Sequence, residues 1–483
     1  MVRDIDRRKF VKGAGLAGIA GLAGCIGGGG DGGSGDGGSG DGGSGDGGSG
    51  DGGSGDGGSG DGGSGDGGSE ATETESGGGM TGSVNGLVII GYPAEGIQLF
   101  RDFYSQTEGD LPILIPDGLR DGALPGQVGN PMENVTGTAP AAGGPNQQAF
   151  NDLFQEEYGS SPGVFTSQSF DSAAIGILAN AAAGENSGPA LRDQMRNIAN
   201  PGGTEVGPQN FVEGVEMAAN GEDINYQGAS SSTNFDQNGD PASAAYAIWE
   251  FEGVDSQSTT AIETQSFAGA NPEGAGDSAD SIPGGSDREM SLGILLPETG
   301  SLASTGQPMI QAAQIPGMLV NEANPAGLSV NVQVEDTQTS PSAGVAAGES
   351  LASAGVPFIC GTASSGVNVP FSQQVAIPNE IVGCSPSSTA LSVTNLEDND
   401  FIFRTAPSDR LQGRVMAQVM SERLGADTVS TLYVNNDYGQ QLSNRFSSVF
   451  EDSFDGEVLT QVAYNRNESS YSSVISRALG GGN

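Results

Sequence analysis

The second half of the chain alternates short apolar runs, each long enough for a strand, with segments of helical periodicity. Alternation of this kind favours a parallel, doubly wound sheet with helices on its faces. The predicted strands are Ser291–Leu296, Leu328–Glu335, Val356–Gly361, Ile381–Ser385, Thr428–Asn435 and Val458–Tyr464. The predicted helices are Gln307–Asn321, Ser342–Ala354, Leu411–Leu424, Gln440–Phe450 and Tyr471–Leu479. The sequence therefore predicts an α/β fold, but this half ends on a helix without the strand that normally follows.

The first half contains a suitable continuation. It opens on a predicted strand, Gly86–Gly91. Its predicted helices are Gly96–Tyr104, Gln147–Tyr158, Ser169–Ala183 and Gly188–Asn200. Joining Asn483 to Val84 would restore the alternation of strands and helices. We therefore predict a circularly permuted order, in which a segment rich in Ser, Gly, Asp and Glu, residues 253–288, bridges the original ends of the fold.

The first 25 residues form a predicted export signal. Arg7 and Arg8 precede a short apolar run, which is typical of twin-arginine signals. Cys25 ends a small-residue cleavage site that resembles a lipobox, so we expect it to be lipidated and to become the mature N-terminus. The alternative is a transmembrane anchor, but the apolar run is short and Gly-rich for ~30 Å of hydrocarbon. Residues 26–80, rich in Gly, Ser and Asp, are predicted to be a disordered tether.

The chain is strongly acidic. Its formal net charge is −43, and Lys9 and Lys12 in the export signal are its only lysines. Such a surface repels itself in dilute buffer, but at ~1 M salt the Debye length falls to ~3 Å and the repulsion is largely screened. This composition is typical of a halophilic extracellular protein. It argues against nucleic-acid binding, which needs a basic surface.

Short motifs in both halves resemble one protein family. In residues 291–483 they are Leu292–Gly300, Glu335–Thr339, Gly361–Ser365, Ser385–Thr389, Phe403–Asp409 and Asn435–Gly439. In residues 86–252 they are Gly91–Pro93, Pro116–Gly118, Asn225–Gly228 and Phe235–Asp240. The first set resembles the opening part, and the second set the closing part, of the type I periplasmic binding proteins of the branched-chain amino acid and amide family, which serve ABC transporters.

The resemblance implies two doubly wound, Rossmann-like lobes joined by a three-strand hinge, with ligand held between them. Lobe one would comprise residues 291–405 and 138–228, and lobe two residues 410–483, 84–134 and Ala245–Phe251. The domain boundaries that follow are 81–252 for the closing part of the family pattern, 253–290 for the acidic linker and 291–483 for the opening part.

The resemblance also implies ligand-binding residues on lobe one. Ser365 matches the family serine that donates to a ligand carboxylate, and Thr389 matches the threonine that binds the same group. Ser387 and Ser388 would offer carbonyl oxygens to a ligand ammonium group. All four lie at strand-to-helix turns, where free N–H groups favour an anion. Capping residues without a ligand are the alternative interpretation.

Lobe two would supply the facing residues. Asp117 matches the family acid that pairs with the ammonium group, although Pro-Asp-Gly is also a strong turn signal. Tyr438 and Tyr92 match aromatic residues that wall the ligand side chain, and both are also suitable as ordinary packing residues. At Thr305 many relatives carry an aromatic residue. The ligand therefore stays open among branched-chain amino acids, other small amino acids and short amides.

The predicted function is capture of a small amino acid or amide at the extracellular face of the membrane and its delivery to an ABC permease. No cofactor or metal is expected. Catalysis is disfavoured because the chain contains no histidine, the commonest general base. The alternatives are a ligand-sensing receptor of the same fold, and a rearranged chain that is swapped between two copies or non-functional. For Cys360 and Cys384, two free thiols are favoured over a disulfide bridge.

Overall fold

The computed structural model describes residues 83–480. The predicted export signal, with Arg7, Arg8 and Cys25, and the predicted tether, residues 26–80, lie outside the described residues. Among the helices of residues 83–480, none has the length and apolar character that crossing a bilayer requires.

Strands and helices alternate through the described part of the chain. The strands are β1 Gly86–Ile90, β2 Ile113–Ile115, β3 Val135–Pro140, β4 Thr204–Val206, β5 Ile224–Tyr226, β6 Ser243–Phe251, β7 Thr259–Ala268, β8 Glu289–Leu296, β9 Ser329–Asp336, β10 Phe358–Gly361, β11 Val382–Ser385, β12 Ile402–Arg404, β13 Thr428–Val434 and β14 Glu457–Tyr464. The helices are α1 Pro93–Gln106, α2 Leu124–Val128, α3 Gln147–Tyr158, α4 Thr166–Ala183, α5 Gly188–Ala199, α6 Phe211–Ala219, α7 Ala303–Ala323, α8 Pro341–Ser353, α9 Ser365–Phe371, α10 Leu391–Thr394, α11 Asp409–Gln418, α12 Asp437–Phe454 and α13 Ser472–Ala478.

The larger sheet joins strands from both ends of the chain. Its strand order is β14-β13-β1-β2-β3-β6-β7. The strands from β14 to β3 run parallel, whereas β6 and β7 are antiparallel to their neighbours. All five residues of β1 are buried, and β1 lies between β13 and β2. A fully apolar strand of this kind is typical of the centre of a parallel sheet covered on both faces.

The second sheet is parallel throughout. Its strand order is β12-β11-β10-β8-β9. Helix α4 packs on this sheet, and all of its residues are buried. Gly176 of α4 faces the Phe358 ring so closely that an added Cβ would come within 2.3 Å of it. One parallel sheet and one largely parallel sheet, with helices between their strands, confirm the predicted α/β class and the predicted alternation of strands and helices.

Part of the predicted linker, residues 253–290, is a strand. Strand β7 pairs antiparallel with β6 over its whole length. The remainder of this segment is hydrogen bonded to α4 and α5: Gln194 Nε2 donates to the Ser281 carbonyl at 3.0 Å, and Gly284 N donates to the Ala182 carbonyl at 2.8 Å. Sequence analysis did not predict β7 because most of its side chains are exposed, which leaves no apolar stripe to detect.

The chain passes between the two sheets at several places within residues 83–480. These crossing segments are 141–146, 227–242, 269–288 and 405–408. The crossing at 269–288 belongs to the segment 253–288, which sequence analysis expected to bridge the original ends of the fold.

The two cysteines of the second sheet are neighbours. Cys360 in β10 is the register partner of Cys384 in β11, and both are buried, free thiols. Burial raises the pKa of the Cys360 thiol to about 12. Both thiols therefore stay protonated at neutral pH, and the structure agrees with the prediction of free thiols over a bridge.

Candidate ligand-binding site

A narrow cavity lies where the carboxyl ends of strands from both sheets meet. Its lining residues follow β1, β2 and β13 of the larger sheet, and β8, β10 and β11 of the second sheet, or precede α4. They are Tyr92, Asp117, Gly118, Phe165, Leu302, Thr305, Ala363, Ser364, Ser365, Ser387 and Tyr438. This edge is where parallel sheets usually bind small molecules.

Two stacked tyrosines form the wall from the larger sheet. The rings of Tyr92 and Tyr438 are parallel within 9°, with centroids 5.8 Å apart. Asn436 Nδ2 donates to the Tyr92 hydroxyl at 2.9 Å, and Gly118 N donates to the Tyr438 hydroxyl at 3.2 Å. Burial raises the pKa of both phenols, so both are neutral at physiological pH. The pair presents a rigid apolar surface to the cavity.

Asp117 supplies the carboxyl group of the cavity wall. It begins the short 3₁₀ turn Asp117–Leu119 directly after β2, and it is 5% exposed. Gln412 Nε2 of α11 donates to Asp117 Oδ1 at 2.5 Å. Burial raises the pKa of Asp117 to about 6, although the hydrogen bond from Gln412 acts in the opposite direction. This carboxyl is therefore poised to lose its proton near neutral pH.

A second buried carboxyl lies behind Asp117. Asp409 begins α11, one helical turn before Gln412, and it is fully buried. Burial, followed by the charge of Asp117, raises the pKa of Asp409 well above its ordinary value. Of the two carboxyls, Asp117 is the one that lines the cavity.

Serine hydroxyls form the wall from the second sheet. Ser365 begins α9, and its Oγ accepts a hydrogen bond from Ala390 N at 3.1 Å. Ser387 Oγ donates to the Ala363 carbonyl at 3.1 Å. Both hydroxyls line the cavity and keep capacity for one further hydrogen bond, because a hydroxyl both donates and accepts.

Ser388 and Thr389 lie behind this wall and do not line the cavity. Ser388 Oγ donates to the Thr362 carbonyl at 2.9 Å, and the Ser388 carbonyl accepts from Arg404 Nη1 at 3.0 Å. The Thr389 carbonyl accepts from Asp409 N at 2.9 Å. Both residues therefore hold the loop in place, and their direct contact with a ligand stays a prediction. The other five predicted residues, Ser365, Ser387, Tyr438, Tyr92 and Asp117, lie together at the cavity.

Several lining residues were not predicted from the sequence. Ser364 lies inside the motif Gly361–Ser365 that sequence analysis had noted, so its proximity to Ser365 was a usable signal. Phe165 precedes α4 with a left-handed backbone, φ 60°, and no motif marks it. Leu302 and Thr305 begin the α7 region. Thr305 does line the cavity, at the position where the resemblance had suggested an aromatic residue.

Hydrogen bonds join the two sides of the cavity. The Tyr92 hydroxyl and Ser364 Oγ are 2.9 Å apart. Nearby, Ser301 Oγ donates to Glu95 Oε1 at 2.7 Å. A third contact, from Arg466 Nη1 to the Thr339 carbonyl at 2.6 Å, lies further along the same boundary. Since these contacts connect residues that follow strands of different sheets, the structure has the closed arrangement of the two sides.

Comparisons with known proteins agree with this fold. Residues 289–482 match the family model of the periplasmic binding proteins. Leu/Ile/Val-binding protein homolog 3 of Brucella melitensis is 27% identical over 163 residues, which are 33% of this chain and 43% of that protein. The chemotactic signal transduction system substrate-binding protein BasB of Halobacterium salinarum is 31% identical over 191 residues, 36% of this chain and 43% of that protein.

A solved structure, the leucine-binding protein LivK of Thermotoga maritima, is 24% identical with a TM-score of 0.35, and the match covers 40% of this chain and 53% of that one. The chain matches less than half, 43%, of the length of each of the two curated relatives above. The members of this family are substrate-binding proteins and not enzymes. The family match over residues 289–482, together with these relatives, makes this part of the chain similar to the type I periplasmic binding proteins of the branched-chain amino acid family.

Proposed function

We propose that this protein captures a neutral amino acid, or a short amide, in the cavity between its two sheets and delivers it to an ABC importer. The observation that carries the proposal is the pairing of unlike groups across one cavity. Asp117 stands on one side, and the hydroxyls of Ser365 and Ser387 stand on the other. Within the described residues, no arginine is among those that line it.

The chemistry of the wall suits a zwitterion with an apolar side chain. The ionised Asp117 would accept from an ammonium group, and the Ser365 hydroxyl, which accepts from Ala390 N and keeps its own proton to donate, would bind a carboxylate. The stacked rings of Tyr92 and Tyr438 would cover the side chain. A second carboxylate on the ligand would face Asp117 without a cationic partner, so acidic amino acids are disfavoured.

The location follows from the predicted export signal. Arg7 and Arg8 would direct export by the twin-arginine route, and Cys25 would carry the lipid anchor. Residues 26–80 would hold the binding domain away from the membrane surface. A permease in the same membrane would then receive the ligand.

A ligand-sensing receptor is the second candidate function. The observation that favours it is the name of the Halobacterium salinarum relative, a substrate-binding protein of a chemotactic signal transduction system. The same cavity would serve both functions. A sensing protein and a transport protein of this fold would differ in the surface by which they dock on a receptor or on a permease. Loss of ligand uptake in a deletion strain would support transport, whereas loss of the chemotactic response alone would support sensing.

We also propose that the chain is a circular permutation of the family order. Two observations support it. The motifs of residues 291–483 resemble the opening of the family pattern, and β1 lies beside β13 in one sheet, where it continues the order of strands. A monomer by light scattering is expected. A dimer would indicate halves swapped between chains, and a chain without a cooperative melt would be a non-functional product.

A thermal melt in ~1 M potassium chloride tests the function. The purified protein is melted with L-amino acids, their D-enantiomers and short amides. A ligand that binds the native state raises the unfolding free energy by about 2.7 kcal/mol at a hundredfold excess over its dissociation constant. Neutral L-amino acids are expected to raise the melting temperature, with D-enantiomers as matched controls. A cooperative melt that no member of the panel shifts would contradict the proposal.

A further inference from the structure

A buried ion pair lies behind the serine wall of the cavity. Arg404, the last residue of β12, is fully buried. Its Nε and Nη2 atoms both contact the carboxylate of Asp240, the Nη2 contact at 2.7 Å. Asp240 belongs to the crossing segment 227–242, and its side chain is also buried. The geometry is bidentate, so the carboxylate fixes the plane of the guanidinium group.

The remaining donors of Arg404 hold the loop that follows β11. Nη1 donates to the carbonyl oxygens of Ser388, at 3.0 Å, and Ala390, at 3.1 Å. Nη2 also contacts Thr394 Oγ1 of α10. One guanidinium thus holds the loop of residues 385–390 at two carbonyls, and a planar group with fixed donors sets their relative position.

These contacts reach both serines of the cavity wall. Ser387 is next to Ser388 in the chain, and its hydroxyl lines the cavity. Ala390, whose carbonyl accepts from Arg404, uses its own N–H to donate to Ser365 Oγ at 3.1 Å. The orientation of both hydroxyls therefore depends on where Arg404 holds the loop, although Arg404 itself does not line the cavity.

We propose that Arg404 and Asp240 form a positioning pair for the ligand site, which fixes the serine wall and connects it to crossing segment 227–242. This proposal rests on the proposed function, because it concerns the affinity of the same cavity. A wrongly placed donor weakens binding even when the protein is fully folded, since the hydrogen bonds to a ligand depend steeply on geometry.

A second buried arginine offers a matched control. Arg196 of α5 pairs with Asp400, and its Nη2 donates to the Asp236 carbonyl at 3.0 Å. It therefore holds the same crossing segment as Asp240 and is similarly buried, at 2% exposed. Its hydrogen bonds go to Asp400 and to the Asp236 carbonyl, not to the loop of residues 385–390. Comparing the two arginines separates placement of the loop from general stability.

The test measures the dissociation constant and the melting temperature of Arg404→Met, Asp240→Asn and Arg196→Met in the full chain. The probe is the neutral L-amino acid that shifts the wild-type melt most, and binding is measured well below each melting temperature. Removing either partner of a buried pair lowers stability, so all three variants are expected to melt earlier. Arg404→Met and Asp240→Asn are expected to raise the dissociation constant about tenfold or more. Arg196→Met is expected to leave it within about twofold of wild type.

The variant Arg404→Lys separates the effect on stability from the effect on ligand binding. Lysine keeps the positive charge but lacks the planar guanidinium group with its several fixed donors. We therefore expect a melting temperature between those of Arg404→Met and wild type, while ligand binding stays weak. Equal dissociation constants for the Arg404, Asp240 and Arg196 variants would overturn the positioning role. If Arg404→Met does not fold, Asp240→Asn alone tests the positioning role, because asparagine keeps the shape of the aspartate side chain and one hydrogen-bond acceptor. A wild-type protein that binds no member of the panel would instead refute the proposed function.

Discussion

Replacing Asp117 with asparagine is expected to stabilise the unliganded protein and to abolish its ligand binding. The carboxyl is buried, and its pKa is raised from its ordinary value of 3.8 to about 6. A group whose pKa is higher in the folded state favours folding while it is protonated. That contribution is present at low pH and is lost as the pH rises through about 6. Asparagine keeps the shape and the acceptor for Gln412 but does not ionise.

The magnitude follows from the shift in pKa. The difference between 3.8 and about 6 is roughly 2.2 pH units, and each unit corresponds to about 1.36 kcal/mol. At pH 7.5 Asp117→Asn should therefore raise the free energy of unfolding by about 3 kcal/mol. For about 400 ordered residues, with an unfolding entropy of about 2.1 cal/mol/K per residue, this equals about 3–4 °C in melting temperature. At pH 4 the gain should be close to zero.

Thermal melts of wild type and variant at pH 4 and pH 7.5, in molar salt and without ligand, measure the effect. Asp110→Asn is the matched control, because Asp110 is exposed and the substitution removes the same charge without changing the cavity. At pH 7.5 the wild type should gain stability from a neutral amino acid, whereas Asp117→Asn should not. A lower melting temperature for the variant at pH 7.5, or an equal gain at both pH values, would refute the reasoning.

Three further outcomes are expected. The affinity for amino acids should be constant above pH 6 and fall about tenfold for each pH unit below it, because the ammonium group needs the ionised Asp117. Titration calorimetry across pH 4.5–8 measures this dependence, and an affinity that does not change with pH would contradict it. Gly137→Ala should lower the free energy of unfolding by about 1–3 kcal/mol in a denaturant titration, since the new Cβ would lie 2.0 Å from the Trp249 ring. Gly163→Ala is the control, because no atom would lie closer than 4.0 Å to its new Cβ. In a Cys25→Ser chain the two buried thiols should react with Ellman's reagent only after denaturation, and fewer than two reactive thiols would indicate a disulfide.

The central strands β1, β8, β10 and β11 could be predicted from the sequence because they form apolar, largely buried runs. The run Gly86–Ile90 is apolar throughout, and a short apolar run bounded by turn residues is typical of a buried strand. Strand β7 lacked this signal, since its outer side chains are exposed and its pairing depends on β6 alone. Local pattern therefore predicted longer apolar strands such as β1. It missed the exposed β7 and also the buried strands β2, β3 and β12.

The candidate site was predictable where the contributing residue directly follows a strand. Asp117 follows β2, and Ser365 lies in the turn after β10, so the position in the turn places each side chain at the edge of the sheet. Ser388 and Thr389 follow β11 in the same way, but they lie behind the cavity wall, where the Ser388 carbonyl accepts from Arg404 Nη1. That arrangement involves a residue of another strand, and no local pattern contains it. Phe165 was missed for the same reason.

The position of β1 has a consequence for the order in which the molecule can form. Asn85 contacts Asp427, 342 residues later in the chain, and β1 cannot pair with β13 until that distant segment has been synthesised. Domains dominated by contacts of large sequence separation fold slowly, because the loop must close before the contacts form. During synthesis, which proceeds at about 5–20 residues per second, one edge of β1 therefore lacks its partner for at least about 17 seconds. An exposed apolar strand edge of this kind is open to pairing with another chain, so we expect folding yield to depend on chaperone capacity in the cytoplasm.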